Sequence, residues 1–163
     1  MEGRWSSDLI PVPIQIEHQK GKYVARILDE APRCGLDACS EVFRGKLGKD
    51  GVLVGESRAC LPPECKQPEA PWTLVLGIPS DNDNQLDMAS LFTEQKCIPK
   101  EANRHVTYIR QSLDKVDCER RKFEKRLPVL SEQITDAKRH RDTRRLAQIE
   151  GELSDYLAKY PDD

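Results

Sequence analysis

Residues 103–138, NRHVTYIRQSLDKVDCERRKFEKRLPVLSEQITDAK, carry the strongest periodic pattern in the chain. Apolar side chains recur there at alternating steps of three and four, which is the spacing of a heptad seam on one face of a helix. We therefore expect a long helix over about 103–138 that packs against a helical partner, with a kink at Pro128, which lacks a backbone N–H. The seam residues expected to contact a partner are Val106, Ile109, Leu113, Val116, Arg120, Phe123 and Leu127.

A second helical pattern follows the first in a different register. Seam spacing fails after Ala137, polar residues occupy 138–142, and Asp142 or Thr143 can cap a new helix. This change predicts an antiparallel hairpin with a return helix over about 143–160, although one long helix with a stutter is an alternative. A shorter helix is predicted over about 84–96, where apolar residues also recur at helical spacing.

Residues 1–80 have a different composition, in which β-branched runs alternate with Gly and Pro as in short strands and turns. Hairpins are predicted within 12–28 and 41–54, and a further strand at 72–76. Five short strands give a small core, so a cross-link or a metal would help to stabilise it. The sequence thus predicts an α+β protein: a small β-rich, zinc-stapled N-terminal module over 1–80, followed over 81–163 by a helical hairpin with coiled-coil-like packing.

Two Cys-x4-Cys pairs in the first module are the candidate metal site. Their spacing fits a structural zinc ion with a closed shell of four thiolates, which stabilises a fold but leaves no position for a substrate. The predicted ligands are Cys34, Cys39, Cys60 and Cys65. Two alternatives remain open: disulfides, with Cys34–Cys65 and Cys39–Cys60 or another pairing, and unrelated buried thiols. Cys97 and Cys118 are expected to be thiols outside this group.

Composition and motifs narrow the class of function. The formal net charge of −2 over 163 residues gives no overall attraction to nucleic acid or acidic membranes. Phosphate-binding, dinucleotide-binding, nucleophile-elbow and zinc-protease motifs are absent from the sequence, so we predict no enzyme and no small-molecule substrate. Neither a signal peptide nor an apolar run of membrane-spanning length is visible, which predicts a cytoplasmic protein without membrane contact.

Basic residues concentrate towards the end of the chain. Ten Lys or Arg residues lie between Arg120 and Arg145, against four acidic residues. Those at the expected hairpin tip, which could contact phosphates, are Lys138, Arg139, Arg141, Arg144 and Arg145. The sequence therefore favours a non-catalytic adaptor, scaffold or regulatory subunit that binds a protein partner, or self-associates, through its helical hairpin. The alternative is a nucleic-acid-associated protein whose zinc module and basic tip contact phosphates.

Overall fold

Antiparallel strands form a closed eight-stranded β-barrel in the computed structural model, which describes residues 1–7, 12–58, 72–91 and 104–161. Each strand pairs with the next in the chain, and β1 pairs with β8 to close the sheet. The strands are β1 Gly3–Ser6, β2 Ile14–Gln19, β3 Lys22–Ile27, β4 Glu41–Leu47, β5 Leu53–Arg58, β6 Trp72–Pro79, β7 Gln85–Leu91 and β8 Arg104–Ser112. A short 3-10 helix, Pro32–Cys34, lies between β3 and β4.

Tight turns set the register of the two predicted hairpins, both of which are present. Lys20 and Gly21 have φ angles of 49° and 77°, as a two-residue turn that matches the twist of its strands requires. In the second hairpin, Gly51 takes a φ of 80° and its N–H donates to the carbonyl oxygen of Gly48 at 3.1 Å. These turns join β2 to β3 and β4 to β5.

The core of the first unit lies inside the barrel. Strand alternation places Thr73 and Val75 of β6 inward, whereas Leu74 and Leu76 point outward and are exposed. Trp5 is fully buried, and its indole N–H donates to the carbonyl oxygen of Met1 at 3.0 Å. The buried apolar side chains thus come from strands throughout residues 1–108.

The predicted fold class is wrong, because the β-rich part extends well beyond residue 80 and closes as a barrel. The helix expected over 84–96 is replaced by β7, and the first part of the helix expected over 103–138 is β8. Met88 pairs with Val106, so both segments add strands to the sheet. The physical reason is closure, since a barrel buries more apolar surface than five strands and leaves no open sheet edge.

Two antiparallel helices form the second compact unit, Glu119–Asp163, whereas the first unit is Met1–Cys118. The boundary expected at residue 80 therefore falls between β6 and β7. Helix α1 is Cys118–Arg139 and continues through Pro128, and α2 is Thr143–Lys159, close to the expected 143–160.

Side chains along the two helices form contacts between them. Phe123 stacks on Tyr156 with ring centroids 3.9 Å apart, and Arg126 forms an ion pair with Glu152 at 2.6 Å. Leu130, Ala137 and Ile149 are the buried apolar residues of this unit. At the start of α2, the Asp142 carboxylate accepts a hydrogen bond from the Arg145 N–H at 3.0 Å.

Candidate functional site

A cavity inside the barrel is a candidate site among the described residues. Its volume is about 60 Å³, and most of its wall is apolar, including Ile14, Ile27, Phe43 and Met88. The cavity lies towards the end of the barrel where β2 and β4 begin and where β3 and β5 end. Side chains from at least six strands therefore meet there, although they are far apart in sequence.

Three polar residues contribute to the cavity wall: Ser57, Arg58 and Tyr108. The Ser57 hydroxyl donates to the carbonyl oxygen of Val42 at 3.0 Å, so its proton is already used. Burial raises the pKa of Tyr108 well above its ordinary value, which keeps the phenol neutral and able to donate. The pocket thus offers a neutral hydrogen-bond donor at Tyr108.

Arg58 is the charged residue in the cavity wall. Its Nε atom is buried and has no hydrogen-bond partner, and none of the described carboxylates forms an ion pair with it. The Arg58 Cζ atom lies 5.2 Å from the centroid of the Trp72 ring, which provides a cation–π contact. The Cζ atom of exposed Arg44 lies 4.4 Å from the centroid of the same ring, and strand alternation points Arg58 and Trp72 outward. The Arg58 guanidinium therefore lies on the outer face of the barrel, beside Trp72.

A disulfide joins Cys39 to Cys118 at the same end of the barrel. Their Cα atoms lie 5.6 Å apart across a sequence separation of 79 residues, and the Cys39 N–H donates to the carbonyl oxygen of Ile27 at 2.9 Å. The expectation that Cys118 is an unpaired thiol is wrong, and so is the suggested Cys39–Cys60 pairing. Cys34 is also disulfide-bonded.

The predicted four-cysteine zinc site conflicts with this disulfide at Cys39. Only a thiolate binds zinc well, so Cys39 cannot act as a ligand while its sulfur is bonded to Cys118. Cys60, Cys65 and Cys97 lie outside the described residues. Within the described part of the chain, no group of three or more His, Cys, Asp or Glu side chains is arranged to hold a metal ion. The zinc site remains a prediction that requires reduction of both Cys34 and Cys39.

Apolar side chains also cover part of the outer barrel surface, which we call the β5–β6 patch: Val54, Leu74, Leu76 and Ile78. They are between 38% and 62% exposed, with Ile78 the most exposed. Val54 pairs directly with Leu76, so the patch is continuous across the two strands. Three charged residues border the patch: Lys46 on β4 pairs with Val54, Glu56 on β5 pairs with Leu74, and Asp87 on β7 pairs with Ile78.

The residues predicted to form one partner-binding seam do not share a helix. Val106 and Ile109 lie on β8, Leu113 and Val116 lie between β8 and α1, and Arg120, Phe123 and Leu127 lie on α1. The prediction that these residues form one helical seam is therefore wrong. Arg120 is exposed and pairs with Glu124 at 3.0 Å, and this hydrogen bond raises the pKa of the guanidinium.

The basic residues of the hairpin tip lie at the end of α1, in the turn and at the start of α2. All are exposed, and Arg145 pairs with Asp136 at 3.3 Å. For the other four, the described residues provide no ion pair: Lys138, Arg139, Arg141 and Arg144. The tip therefore presents a small positively charged surface.

Comparison with known proteins does not place the chain in a family: no family profile matches it, and no significant match is found among curated proteins or solved structures. The cavity, the β5–β6 patch and the basic tip were not assigned by likeness to any other protein. In the described residues, neither helix combines the length and the apolar character that a membrane span requires. The β5–β6 patch and the basic tip are the exposed surfaces through which the described residues can contact a partner.

Proposed function

We propose that this protein is a non-catalytic adaptor, scaffold or regulatory subunit that binds a protein partner. The β5–β6 patch supports this proposal most strongly. Its exposed side chains present on the order of 350 Å² of apolar surface, within the roughly 300–600 Å² of the largest patch on a typical monomer, which is often functional. Scattered single apolar residues are ordinary on a protein surface, but this patch is continuous.

Size limits what the patch does alone. Burying about 350 Å² at roughly 25 cal/mol per Å² contributes about 9 kcal/mol, which is comparable to the cost of association. A stable interface commonly buries about 800 Å² on each partner, so the patch would be its apolar centre. Lys46 and Asp87 would then lie at the polar rim and orient the partner.

The helical hairpin offers a second contact surface, as the sequence analysis expects. Two helices cannot cover each other on all sides, and Leu127, Val129 and Leu157 are 39%, 49% and 56% exposed. A partner helix could pack on these side chains. The hairpin thus supports the same class of function as the barrel patch, through separate residues.

Substitutions in the patch test the proposal. Leu76→Asp with Ile78→Asp places charges at its centre, whereas Ile109→Asp is a matched control because Ile109 is 44% exposed on β8. Light scattering measures self-association, and quantitative affinity enrichment followed by binding of the purified partner measures other complexes. We expect the affinity for the partner to fall at least about tenfold in the double variant and to stay unchanged in the control. Equal binding by all three proteins would contradict the proposal.

Nucleic-acid binding is the second candidate function, supported by the exposed basic tip. A gel shift titrated with salt should show a steep dependence if arginines neutralise phosphates there. Arg141→Glu with Arg144→Glu would then abolish the shift, because both residues are exposed at the tip. Absence of any shift at low salt would eliminate this candidate.

The cellular compartment is part of the proposal. The sequence alone predicts a cytoplasmic location. The Cys39–Cys118 disulfide instead supports an oxidising compartment, where such bonds persist. We therefore favour an oxidising compartment over the cytoplasm. Alkylation of cysteines in intact cells tests this choice, since a protected Cys118 is expected if the bond is present in vivo.

A further inference from the structure

Tyr108 is a buried phenol in the wall of the barrel cavity, and it is only 7% exposed. Strand alternation on β8 points Tyr108 inward, between the outward side chains of Thr107 and Ile109. None of the described residues forms a hydrogen bond with its hydroxyl group, and burial is the sole cause of its raised pKa. A buried hydroxyl without a partner is costly, so the cavity favours a molecule that brings a hydrogen-bond acceptor.

The rest of the cavity wall favours hydrocarbon over water. Much of it is formed by Ile27, Phe43 and Met88, which offer no hydrogen-bond donor and no strong acceptor. The Ser57 hydroxyl already donates its proton to a backbone carbonyl oxygen. A buried water needs about three hydrogen bonds, which a wall of this kind does not supply for a cluster of waters. The larger part of the ligand is therefore apolar.

The described lining residues offer no countercharge to an ionic ligand. Arg58 contributes to the wall, but its guanidinium lies on the outer face of the barrel beside Trp72. Cys34 is disulfide-bonded and Tyr108 stays neutral, so neither supplies a charge. Because transfer of an unpaired carboxylate or ammonium out of water is strongly unfavourable, the ligand is uncharged.

We propose that the barrel cavity binds an uncharged, mostly hydrocarbon molecule with one hydrogen-bond acceptor, such as the carbonyl oxygen of a ketone, an aldehyde or an ester. The Tyr108 hydroxyl donates to this oxygen, and the hydrocarbon part packs against Ile27, Phe43 and Met88. This site is independent of the proposed protein-binding function, because it lies inside the barrel whereas the β5–β6 patch lies on its outer surface.

Methyl ketones of increasing chain length, starting from acetone, test the proposal when they are titrated into the full-length oxidised protein. We expect saturable NMR shifts with at least one ketone, and nuclear Overhauser contacts from that ketone to Phe43 and Met88. The alkanoate of the same chain length should bind at least about tenfold more weakly, because its charge stays unpaired in the cavity. Three results would overturn the proposal: no saturation by any ketone up to about 10 mM, equal binding of the alkanoate, or contacts restricted to the β5–β6 patch.

Tyr108→Phe isolates the hydrogen bond, because it removes the hydroxyl and keeps the ring. We expect the ketone to bind about fivefold more weakly to this variant. The hydrocarbon analogue, in which a methylidene group replaces the carbonyl oxygen, should bind the variant at least as tightly as the wild type. Tyr23→Phe is the matched control, because Tyr23 is a half-buried phenol on β3 that does not line the cavity. Unchanged ketone affinity in Tyr108→Phe, or an equal fall in both variants, would refute the assignment.

Ala31→Val tests the cavity itself without changing Tyr108. Ala31 lines the cavity and is 7% exposed, so the added methyl groups narrow the space beside it. We expect the tightest-binding ketone to become shorter, or its affinity to fall at least about tenfold. Urea unfolding establishes that folded proteins are compared, and this variant decides the question if Tyr108→Phe does not fold. The same chain-length preference and affinity as in the wild type would contradict a ligand inside the barrel.

Discussion

Removing the Cys39–Cys118 disulfide should destabilise the barrel by several kcal/mol. The bond closes a loop of 79 residues, and the chain-entropy relation for a loop of that length gives about 4.5 kcal/mol at 25 °C. Measured losses are commonly smaller, about 2–4 kcal/mol, because unfolded chains retain some structure. We therefore expect Cys39→Ser with Cys118→Ser to lower the free energy of unfolding by about 3 kcal/mol.

Urea unfolding followed by tryptophan fluorescence measures this loss, since Trp5 is fully buried in the barrel. With a slope near 1.5 kcal/mol per molar urea, a loss of about 3 kcal/mol lowers the midpoint by roughly 2 M. Wild-type protein treated with reductant is the control, and it should be at least as unstable as the double variant. A double variant within about 1 kcal/mol of the oxidised wild type would refute the reasoning.

Three further predictions concern stability. Asp142→Ala removes the side-chain cap of α2 and should cost about 1 kcal/mol, measured by thermal unfolding of the helices. Phe123→Ala removes the stack on Tyr156 and should increase hydrogen exchange in α1 and α2 while exchange in the barrel stays unchanged, because Phe123 and Tyr156 both belong to the second compact unit. Burial raises the pKa of Tyr108, so the unfolded chain ionises first and stability should fall as pH rises above about 10, by up to about 1.4 kcal/mol per pH unit. In Tyr108→Phe, the urea midpoint should fall less steeply with pH above about 10 than in the wild type. The same fall in both proteins would contradict a raised pKa of Tyr108.

Local features of the fold could be predicted because their causes lie within a few residues. Turn residues at Lys20-Gly21 and Asp50-Gly51 specify their hairpins, and Asp142 caps the helix that follows it. These signals depend on neighbouring side chains and backbone torsions. They are therefore visible in the sequence.

Strands β7 and β8 could not be separated from helices by spacing alone. Leu86 and Met88 alternate as a strand requires, but Leu86 and Ala89 also fit helical spacing. On β8, Val106 and Tyr108 alternate, whereas Val106 and Ile109 fit helical spacing. Only pairing across the sheet decides between the two structures. Barrel closure between β1 and β8 joins residues more than 100 positions apart, which no local pattern reports.

The candidate sites could not be predicted from the sequence either, because they also depend on contacts between distant residues. The spacing of the Cys34 and Cys39 pair indicates a metal, whereas the structure joins Cys39 to the distant Cys118. The cavity combines Phe43 with Tyr108, which lie 65 residues apart on different strands. Their proximity follows from the barrel, and neither residue belongs to a motif.

The most direct test of the protein-binding function is the affinity of a purified partner for the wild type, for Leu76→Asp with Ile78→Asp, and for Ile109→Asp. The substituted side chains are 38% to 62% exposed, so Asp lowers stability to some extent, and urea unfolding of all three proteins establishes that binding is compared between folded proteins. We expect the dissociation constant to rise at least about tenfold for the patch variant alone. A patch variant that binds the partner as tightly as the wild type would contradict the proposed function.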